Sequence, residues 1–542
     1  MTNFLARITS SLFNLILSFF LPLSLSVLDH RFNSCLTQNQ ITNFTIFKEN
    51  DSAYYYTLLD YSIQNLRFSE PKIPKPLAII LPKTVDELVK IVACCREAVL
   101  EIRVRCGGHS YEGTSSVAGD GAKFVIIDMM NMNNISVDLE SETAVVEGGA
   151  TLGETYSAIA EASSVHGFSA GSCPTVGVGG HIGGGGFGLL SRKYGVAADN
   201  VVDALLVDAN GRLLDRKGMG EEVFWAIRGG GGGGWGIVYA WKIKLSKVPH
   251  TVTCFIVSRT GTKDYIAKLV HKWQSVAPKL DEEFYISCFV GAGLPETKTL
   301  GISATFKGFY LGSRTEAMSI LNKNFPELRV HEQDYKEMSW IDSILFFAGL
   351  KQGATVSDLK NRYLHGKNYF KAKSDYIRTE ISFSGIKLAL DILEKEPKGY
   401  VILDPYGGKM DNISSEAIAF PHRKGNIFAI QYLVEWKEKD NIKSNEYLNW
   451  IREFYNAMTP FVSWGPRAAY INYMDFDIGV NEMIKEKNIL SQDHAVEIAR
   501  VWGEKYFLGN FDRLVRAKTI IDPDNVFRNQ QSIPPLGSKA EI

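Results

Sequence analysis

Two glycine-dense stretches hold most of the chemistry that this sequence can offer. The first runs Arg103-Val104-Arg105-Cys106-Gly107-Gly108-His109-Ser110-Tyr111-Glu112-Gly113. The second runs Gly171-Ser172-Cys173-Pro174-Thr175-Val176-Gly177-Val178-Gly179-Gly180-His181 and continues through glycines 183–186. Glycines at this density let backbone N–H groups approach an anion closely, and they adopt φ > 0 at little steric cost. A histidine in one loop and a thiol in the other are groups that phosphate binding alone does not need. The pattern points to a flavin, its pyrophosphate on the glycines and its ring fixed by those two side chains.

Other chemistries fit less well. A dinucleotide fingerprint needs a glycine turn between a strand and a helix, with an acidic residue roughly 20 positions later. Neither loop has that arrangement, and no Gly-Lys-Ser/Thr follows the glycines as a Walker A motif requires. His109 and His181 could ligate a metal, but no second pair stands at metal-like spacing. A Cys173 nucleophile paired with His109 or His181 would lack an orienting acid.

The elements around the loops follow from periodicity. Thr84 and Glu87 read as a capping box opening a helix in which Val85, Leu88, Val89 and Val92 repeat at helical spacing. Short strands are expected at 101–105, 124–128, 144–147 and 201–208, with a helix over 153–162. Residues 224–228 enter six glycines, 229–234, and leave as a strand on which Trp241, Ile243 and Leu245 alternate with Lys242 and Lys244. After Pro249 the pattern changes. Helical runs alternate with strands at 285–290, 302–310 and 427–436, as in a large antiparallel sheet with helices on one side. Residues 491–536 return to helix and end in an irregular tail.

Composition sets the outer bounds. A chain of 542 residues is too long for one core, so two or three domains are expected. Apolar content of 45 %, charged content of 22 % and a net charge of −1 give no reason to expect a nucleic-acid or anionic-membrane partner. Near the N-terminus, Arg7 precedes an apolar run from Leu12 to Leu25 that is broken by Asn14 and Pro22. It is shorter than the roughly 20 apolar residues of a spanning helix, and it reads as a signal peptide. No stable membrane anchor is expected after cleavage. Secretion gives weight to the sequons at Asn43, Asn50, Asn134 and Asn412. Of seven cysteines, Cys35 is expected to pair with Cys94 or Cys95, or all three are buried thiols.

The sequence resembles plant berberine bridge enzyme-like flavoproteins over the whole mature chain. Its marks are Arg105-x-Gly107-Gly108-His109-x-Tyr111-Glu112-Gly113 and Cys173-Pro174-Thr175-Val176-Gly177-x-Gly179-Gly180-His181. Arg192-Lys193-Tyr194-Gly195, Phe224-Trp225-Ala226-Ile227-Arg228 with its glycines, and Gln531-Ser532-Ile533-Pro534-Pro535 add to them. The resemblance implies a two-domain α+β architecture of the PCMH-type (vanillyl-alcohol oxidase) FAD-binding fold with an antiparallel-sheet substrate domain. The expected division is a signal peptide over 1–27, an FAD-binding domain over 28–248 and a substrate-binding domain over 249–476. A C-terminal segment, 477–542, would return to the FAD domain.

By the same resemblance, His109 attaches to the flavin 8α carbon and Cys173 to its C6, which raises the redox potential. Gly107, Gly108, Ser110, Thr175, Val176, Gly177, Gly180, Gly184, Gly186 and Asn529 would surround FAD, with His181 near the N1–C2=O edge. Val176 matches the position that gates oxygen. A small Val there implies an oxidase that uses O₂ and releases hydrogen peroxide. Two positions depart from the family pattern. Cys106 replaces a common Ser, and Gly234-Trp235 puts an indole where smaller residues are usual, read as packing.

Substrate chemistry is read from the 427–436 strand. Phe428, Ile430, Tyr432, Val434 and Trp436 form one apolar face, and Ala429, Gln431, Leu433 and Glu435 form the other. In the family that second face lines the pocket above the flavin. Gln431 stands where the bridge-forming member has a catalytic Glu, and an amide cannot serve as that base. Ala429 stands where phenol-alcohol oxidising relatives have a Lys that acidifies a tyrosine, so Tyr111 and Tyr473 should keep phenol pKa values near ~10. Oxidation beside a tertiary amine needs no base on an O–H group. The implied reaction is oxidation of an alkaloid C–N bond, with Tyr111, Gln431 and Tyr473 orienting the substrate. Oxidation of a carbohydrate or phenolic alcohol with Tyr473 as base, or cyclisation of a phenolic metabolite, are the alternatives. The partners expected are a small molecule and O₂, on a monomer in the secretory pathway, delivered to vacuole, vesicle or apoplast.

Overall fold

The computed structural model describes residues 30–47, 53–119, 121–297, 301–363, 366–481 and 492–537. The expected signal peptide over 1–27 and the Asn50 sequon lie outside the described residues.

Three sheets organise the chain. The first has four strands in the order Phe44–Ile46, Ala78–Ile80, Phe124–Asp128, Glu101–Arg105. Phe124–Asp128 runs parallel between two neighbours and is buried along its whole length, as a strand covered on both faces must be. Val125 and Ile127 pack with Leu88, Ile91 and Val92 of the helix Val85–Glu97. Phe124 and Ile126 pack on the other side with Tyr55 and Leu59 of the helix Ala53–Ser62. The helix start differs from the expected capping box. Thr84 accepts from Glu87 N at 3.2 Å, but the Glu87 carboxylate reaches one residue further back, to Lys83 N at 2.7 Å. That helix carries both candidate cysteines, and rotation by one residue separates their fates. Cys94 forms a disulfide with Cys35, whereas Cys95 is a buried thiol.

The second sheet is antiparallel, in the order Ile135–Asp138, Thr143–Glu147, Ile237–Lys244, Val201–Val207, Leu213–Leu214. Trp241, Ile243 and Leu245 are buried while Lys242 and Lys244 are exposed, the alternation expected of a strand with one wet face.

The third sheet has seven antiparallel strands, in the order Lys336–Met338, Val252–Thr260, Ser303–Tyr310, Phe284–Gly291, Gly399–Pro405, Phe428–Trp436, Tyr369–Ile377. One face packs under the helices Lys263–Val276, Phe383–Leu393 and Ser444–Ala457. There Phe428, Ile430, Tyr432, Val434 and Trp436 meet Trp273, Leu390 and Phe454. Burial of each large side chain contributes on the order of 2–3 kcal/mol. The opposite face of the same strand is left to line the site.

The C-terminal helix Phe511–Ile521 packs beside Glu221–Ile227, with the Arg513 guanidinium 4.0 Å from the Trp225 ring centroid. Lys518, fully buried, donates at 2.7 Å each to Asp522, to the Phe527 carbonyl and to the Gly234 carbonyl in the third glycine loop. An ammonium with three acceptors is a satisfied buried charge, and it ties the end of the chain to residues 229–234.

Candidate functional site

The two glycine loops meet back to back. Arg105 is completely buried and fixes the start of the first loop. Its Nε donates to Asp128 at 2.7 Å, and its other nitrogens donate to the Leu59 and Leu58 carbonyls at 2.9 and 2.8 Å. A Cβ on Gly107 would come within 2.4 Å of Gly177 N, and one on Gly177 within 2.3 Å of Cys106 Sγ. Gly108 has φ +69 and lies so close to the Ser62 carbonyl that no side chain fits. The glycines are therefore required by the loop contact itself.

That contact brings together groups far apart in sequence. His109 Nε2 lies 2.8 Å from Thr175 Oγ1, and Cys173 Sγ lies 3.7 Å from the same oxygen. Burial, with the Lys367 and His181 charges adding to it, lowers the His109 pKa to about 4, so the imidazole is neutral. Burial raises the Cys173 thiol, against opposing hydrogen bonds from Thr175 and Val176. Burial also lowers His181 to about 4. The His181 Nε2 accepts from Gly171 N at 3.0 Å, which places the imidazole proton on Nδ1.

A cavity of about 350 Å³ opens over this contact. Gly107, Gly108, His109, Ser110, Tyr111, Cys173, Val176, Gly177, Gly180, His181, Tyr473 and Asn529 line it. Thr175 stands behind His109 and Cys173 and is itself buried. Gly184 and Gly186 were expected at the cofactor and instead pack behind it. A Cβ on Gly184 would strike the Asn472 side chain, and one on Gly186 would strike Ala197 and His181. Gly180 and Gly233, by contrast, have nothing within 4 Å of where a Cβ would sit. Their bare backbone faces the cavity, and a cradle of this kind suits a pyrophosphate.

On the sheet side, Gln431 Nε2 donates to the Tyr111 hydroxyl at 2.6 Å. The Tyr111 and Tyr473 rings stack, with centroids 5.4 Å apart and planes at 6°. Their expected near-normal phenol pKa values are corrected by the structure. Burial pushes Tyr111 up despite the Gln431 hydrogen bond, and it pushes Tyr473 far up. Both phenols keep their protons at neutral pH.

Sequence reasoning missed several residues. Asn472 lines the cavity and donates to the His181 carbonyl at 3.0 Å and to Tyr470 Oη at 2.9 Å. Tyr470 Oη accepts from Gly186 N and Phe187 N at 2.9 and 3.2 Å, which shapes the second loop from behind. The signal for both was their closeness to Tyr473. Glycines 231–233 also line the cavity, beside Trp235, the indole already singled out by sequence, whose N–H is satisfied by the Gly231 carbonyl at 3.0 Å. Among the described residues, no group of three or more His, Cys, Asp or Glu could hold a metal.

Comparison with known proteins gives a consistent result. A family described as "FAD binding domain" matches residues 76–216, and one described as "Berberine and berberine like" matches residues 469–534. The chain is 64 % identical over 515 residues to berberine bridge enzyme-like D-2 of Nicotiana tabacum, covering 93 % of this chain and 91 % of that one. It is 49 % identical over 506 residues to reticuline oxidase of Eschscholzia californica, covering 93 % and 92 %. Its fold is similar to the solved structure of berberine bridge enzyme from Eschscholzia californica. The TM-score is 0.89 at 48 % identity, over 94 % of this chain and 100 % of that one.

Proposed function

This chain belongs to the berberine bridge enzyme-like family of FAD-dependent oxidoreductases, and from that premise we propose that it oxidises the C–N bond of a plant amine. O₂ is the final acceptor and hydrogen peroxide the by-product. FAD is its cofactor, and when bound it supplies the hydride acceptor. The two-domain α+β fold with an antiparallel sheet over the FAD-binding part is that of the family.

His109 and Cys173 are assigned as the two attachment points. Support comes from their convergence on one hydroxyl, that of Thr175, and from a histidine held neutral and able to use a ring lone pair. The backbone of Gly107, Gly108, Gly177 and Gly180 is assigned to the pyrophosphate. The Nδ1–H of His181 is assigned to the edge where negative charge develops.

The observation that carries the amine reading is the Gln431–Tyr111 hydrogen bond. The Tyr111 oxygen already accepts from an amide and keeps its own proton, so it is a donor toward the cavity. It orients a polar group of the substrate and does not remove a proton. Tyr473 is likewise a protonated phenol. An alcohol needs a base for its O–H, whereas a neutral amine drives hydride departure with its nitrogen lone pair. The Cys35–Cys94 disulfide and the exposed Asn134 and Asn412 support passage through the secretory pathway.

The test is anaerobic mixing of the holoenzyme with tertiary amines, primary alcohols and sugars, following loss of the oxidised flavin band, then peroxide on admitting air. Bleaching by amines and peroxide formation are expected. Bleaching by alcohols or sugars alone overturns the reading. Substrate consumption without bleaching would assign a cyclase.

A further inference from the structure

We propose that Asp404 is the anionic anchor of the substrate pocket, forming an ion pair with a protonated amine of the substrate among the Tyr285, Tyr470 and Tyr473 phenols. The inference rests on the amine reading given under the proposed function and adds the group that would select for charge.

Position comes first. Asp404 lies on Gly399–Pro405 and pairs with Ala429, as Ile402 pairs with Gln431. Residues directly opposite in an antiparallel pair share a face, so Asp404 stands on the site face of the sheet, one pair along from Gln431. From the neighbouring strand Phe284–Gly291, Tyr285 Oη donates to Asp404 Oδ1 at 2.5 Å. The Asp404 charge acts on Tyr473, Tyr470 and Tyr406.

Its surroundings are unusual for this protein. Among the described residues six carboxylates are buried, and each faces a cation: Glu112 with Lys371, Asp128 with Arg105, Asp208 with Arg212, Asp375 with Arg467, Asp475 with Lys373, and Asp522 with Lys518. Asp404 has no cationic partner among the described residues. Burial raises its carboxyl to about 6, against the Tyr285 hydrogen bond. The neighbouring charges are already committed or absent. Arg423, whose charge is felt at Tyr406, forms a two-point ion pair with Asp199 at 2.7 and 2.9 Å. His422, stacked on Tyr376 at 3.9 Å, is kept neutral with its pKa lowered to about 3. The titratable groups that feel the Asp404 charge, Tyr285, Tyr406, Tyr470 and Tyr473, are phenols.

An unpaired carboxylate in a low-dielectric site is a destabilising feature unless a ligand supplies the cation. Asp404 is not completely covered, being only intermediate in exposure, so part of its surface is open to a ligand. Beside it, Phe187 and Tyr406 stack at 5.0 Å with planes at 3°, and Phe187 also meets Tyr285. Aromatic faces next to an anion suit an alkylammonium ion. Asp404 holds the charged amine, and its proton passes to solvent water before hydride departs from the neutral form.

The test uses the flavin-loaded protein and reads binding from the flavin difference spectrum. The ligands are benzyltrimethylammonium and its neutral isostere neopentylbenzene. At a pH of about 8, the cation is expected to bind about tenfold or more tightly than the isostere. The preference is expected to vanish in Asp404→Asn and, in the unaltered protein, on titration below pH about 6. Equal binding of the two ligands, or a preference that survives Asp404→Asn, overturns the proposal. Should that variant fail to hold flavin, the pH series on the unaltered protein decides, and a flat series overturns it. Because this readout needs no turnover, it separates the two claims. Amine oxidation without cation preference removes the anchor alone, whereas cation preference without oxidation of any amine removes the proposed reaction alone.

Discussion

The side-chain amide of Gln431 donates to the Tyr111 hydroxyl at 2.6 Å, joining the third sheet to the first glycine loop across 320 residues. The bond fixes Tyr111 as a donor and holds the stacked Tyr111–Tyr473 pair in register with the sheet. Tyr111→Phe is therefore expected to raise KM about three- to tenfold, the worth of roughly one neutral hydrogen bond, with little change in kcat. Neither phenol ionises near neutrality, so kcat should show no tyrosine limb between pH about 6 and 9. Steady-state pH profiles of both proteins check this, and a limb abolished by Tyr111→Phe would show that the phenol acts as a base.

Flavin attachment has a direct readout. Acid-precipitated wild-type protein is expected to stay yellow, and so are His109→Ala and Cys173→Ala, each with one bond left. The double variant should release its flavin to the supernatant. Thr175→Val, which removes the hydroxyl shared by both groups, is expected to slow attachment without abolishing it.

Val176 lines the cavity and its carbonyl is fixed by Leu152 N at 2.9 Å, so a larger side chain there must grow into the cavity. Val176→Leu is expected to slow reoxidation of the reduced flavin by O₂ roughly tenfold or more, about 1.4 kcal/mol in the barrier. Anaerobic reduction by substrate should be nearly unchanged. Stopped-flow measurement of the two half-reactions separates these effects.

The Cys35–Cys94 disulfide closes a segment with a sequence separation of 59. Loop-closure entropy predicts that Cys35→Ser with Cys94→Ser lowers stability by roughly 2–4 kcal/mol. Thermal unfolding should show this, with the flavin spectrum preserved at low temperature.

Asp404 should carry a stability penalty at neutral pH. A carboxyl raised from 3.8 to about 6 in the folded state binds its proton more tightly there than when unfolded, so ionisation destabilises the fold. The penalty is absent below pH about 4, develops between about 4 and 6 and is complete above that, on the order of 1–3 kcal/mol. Asp404→Asn is therefore expected to raise the unfolding temperature at neutral pH, with the gain shrinking as pH falls through that window. A gain independent of pH would refute the electrostatic origin.

Much of the contact between the two glycine loops could be read from the sequence because its constraints are local. Close backbone approach needs glycine, so Gly107, Gly108 and Gly177 are visible as composition, and strand periodicity shows which side of 428–436 is core. The same locality leaves other placements to the fold. Gly184 and Gly186 look like cradle glycines by density, but only the fold shows that Asn472, Ala197 and His181 fill the space behind them.

What the sequence determined, then, was the pair of loops, the alternating strands and the identities of His109, Cys173 and Gln431. Tertiary structure decided the contacts between segments hundreds of residues apart: Thr175 between His109 and Cys173, Gln431 against Tyr111, Cys94 rather than Cys95 opposite Cys35. It alone exposed Asp404, an ordinary residue in the strand Gly399–Pro405 by any local pattern. Pairing between strands and burial are properties of the folded surface, and no window of the chain contains the cation that Asp404 lacks.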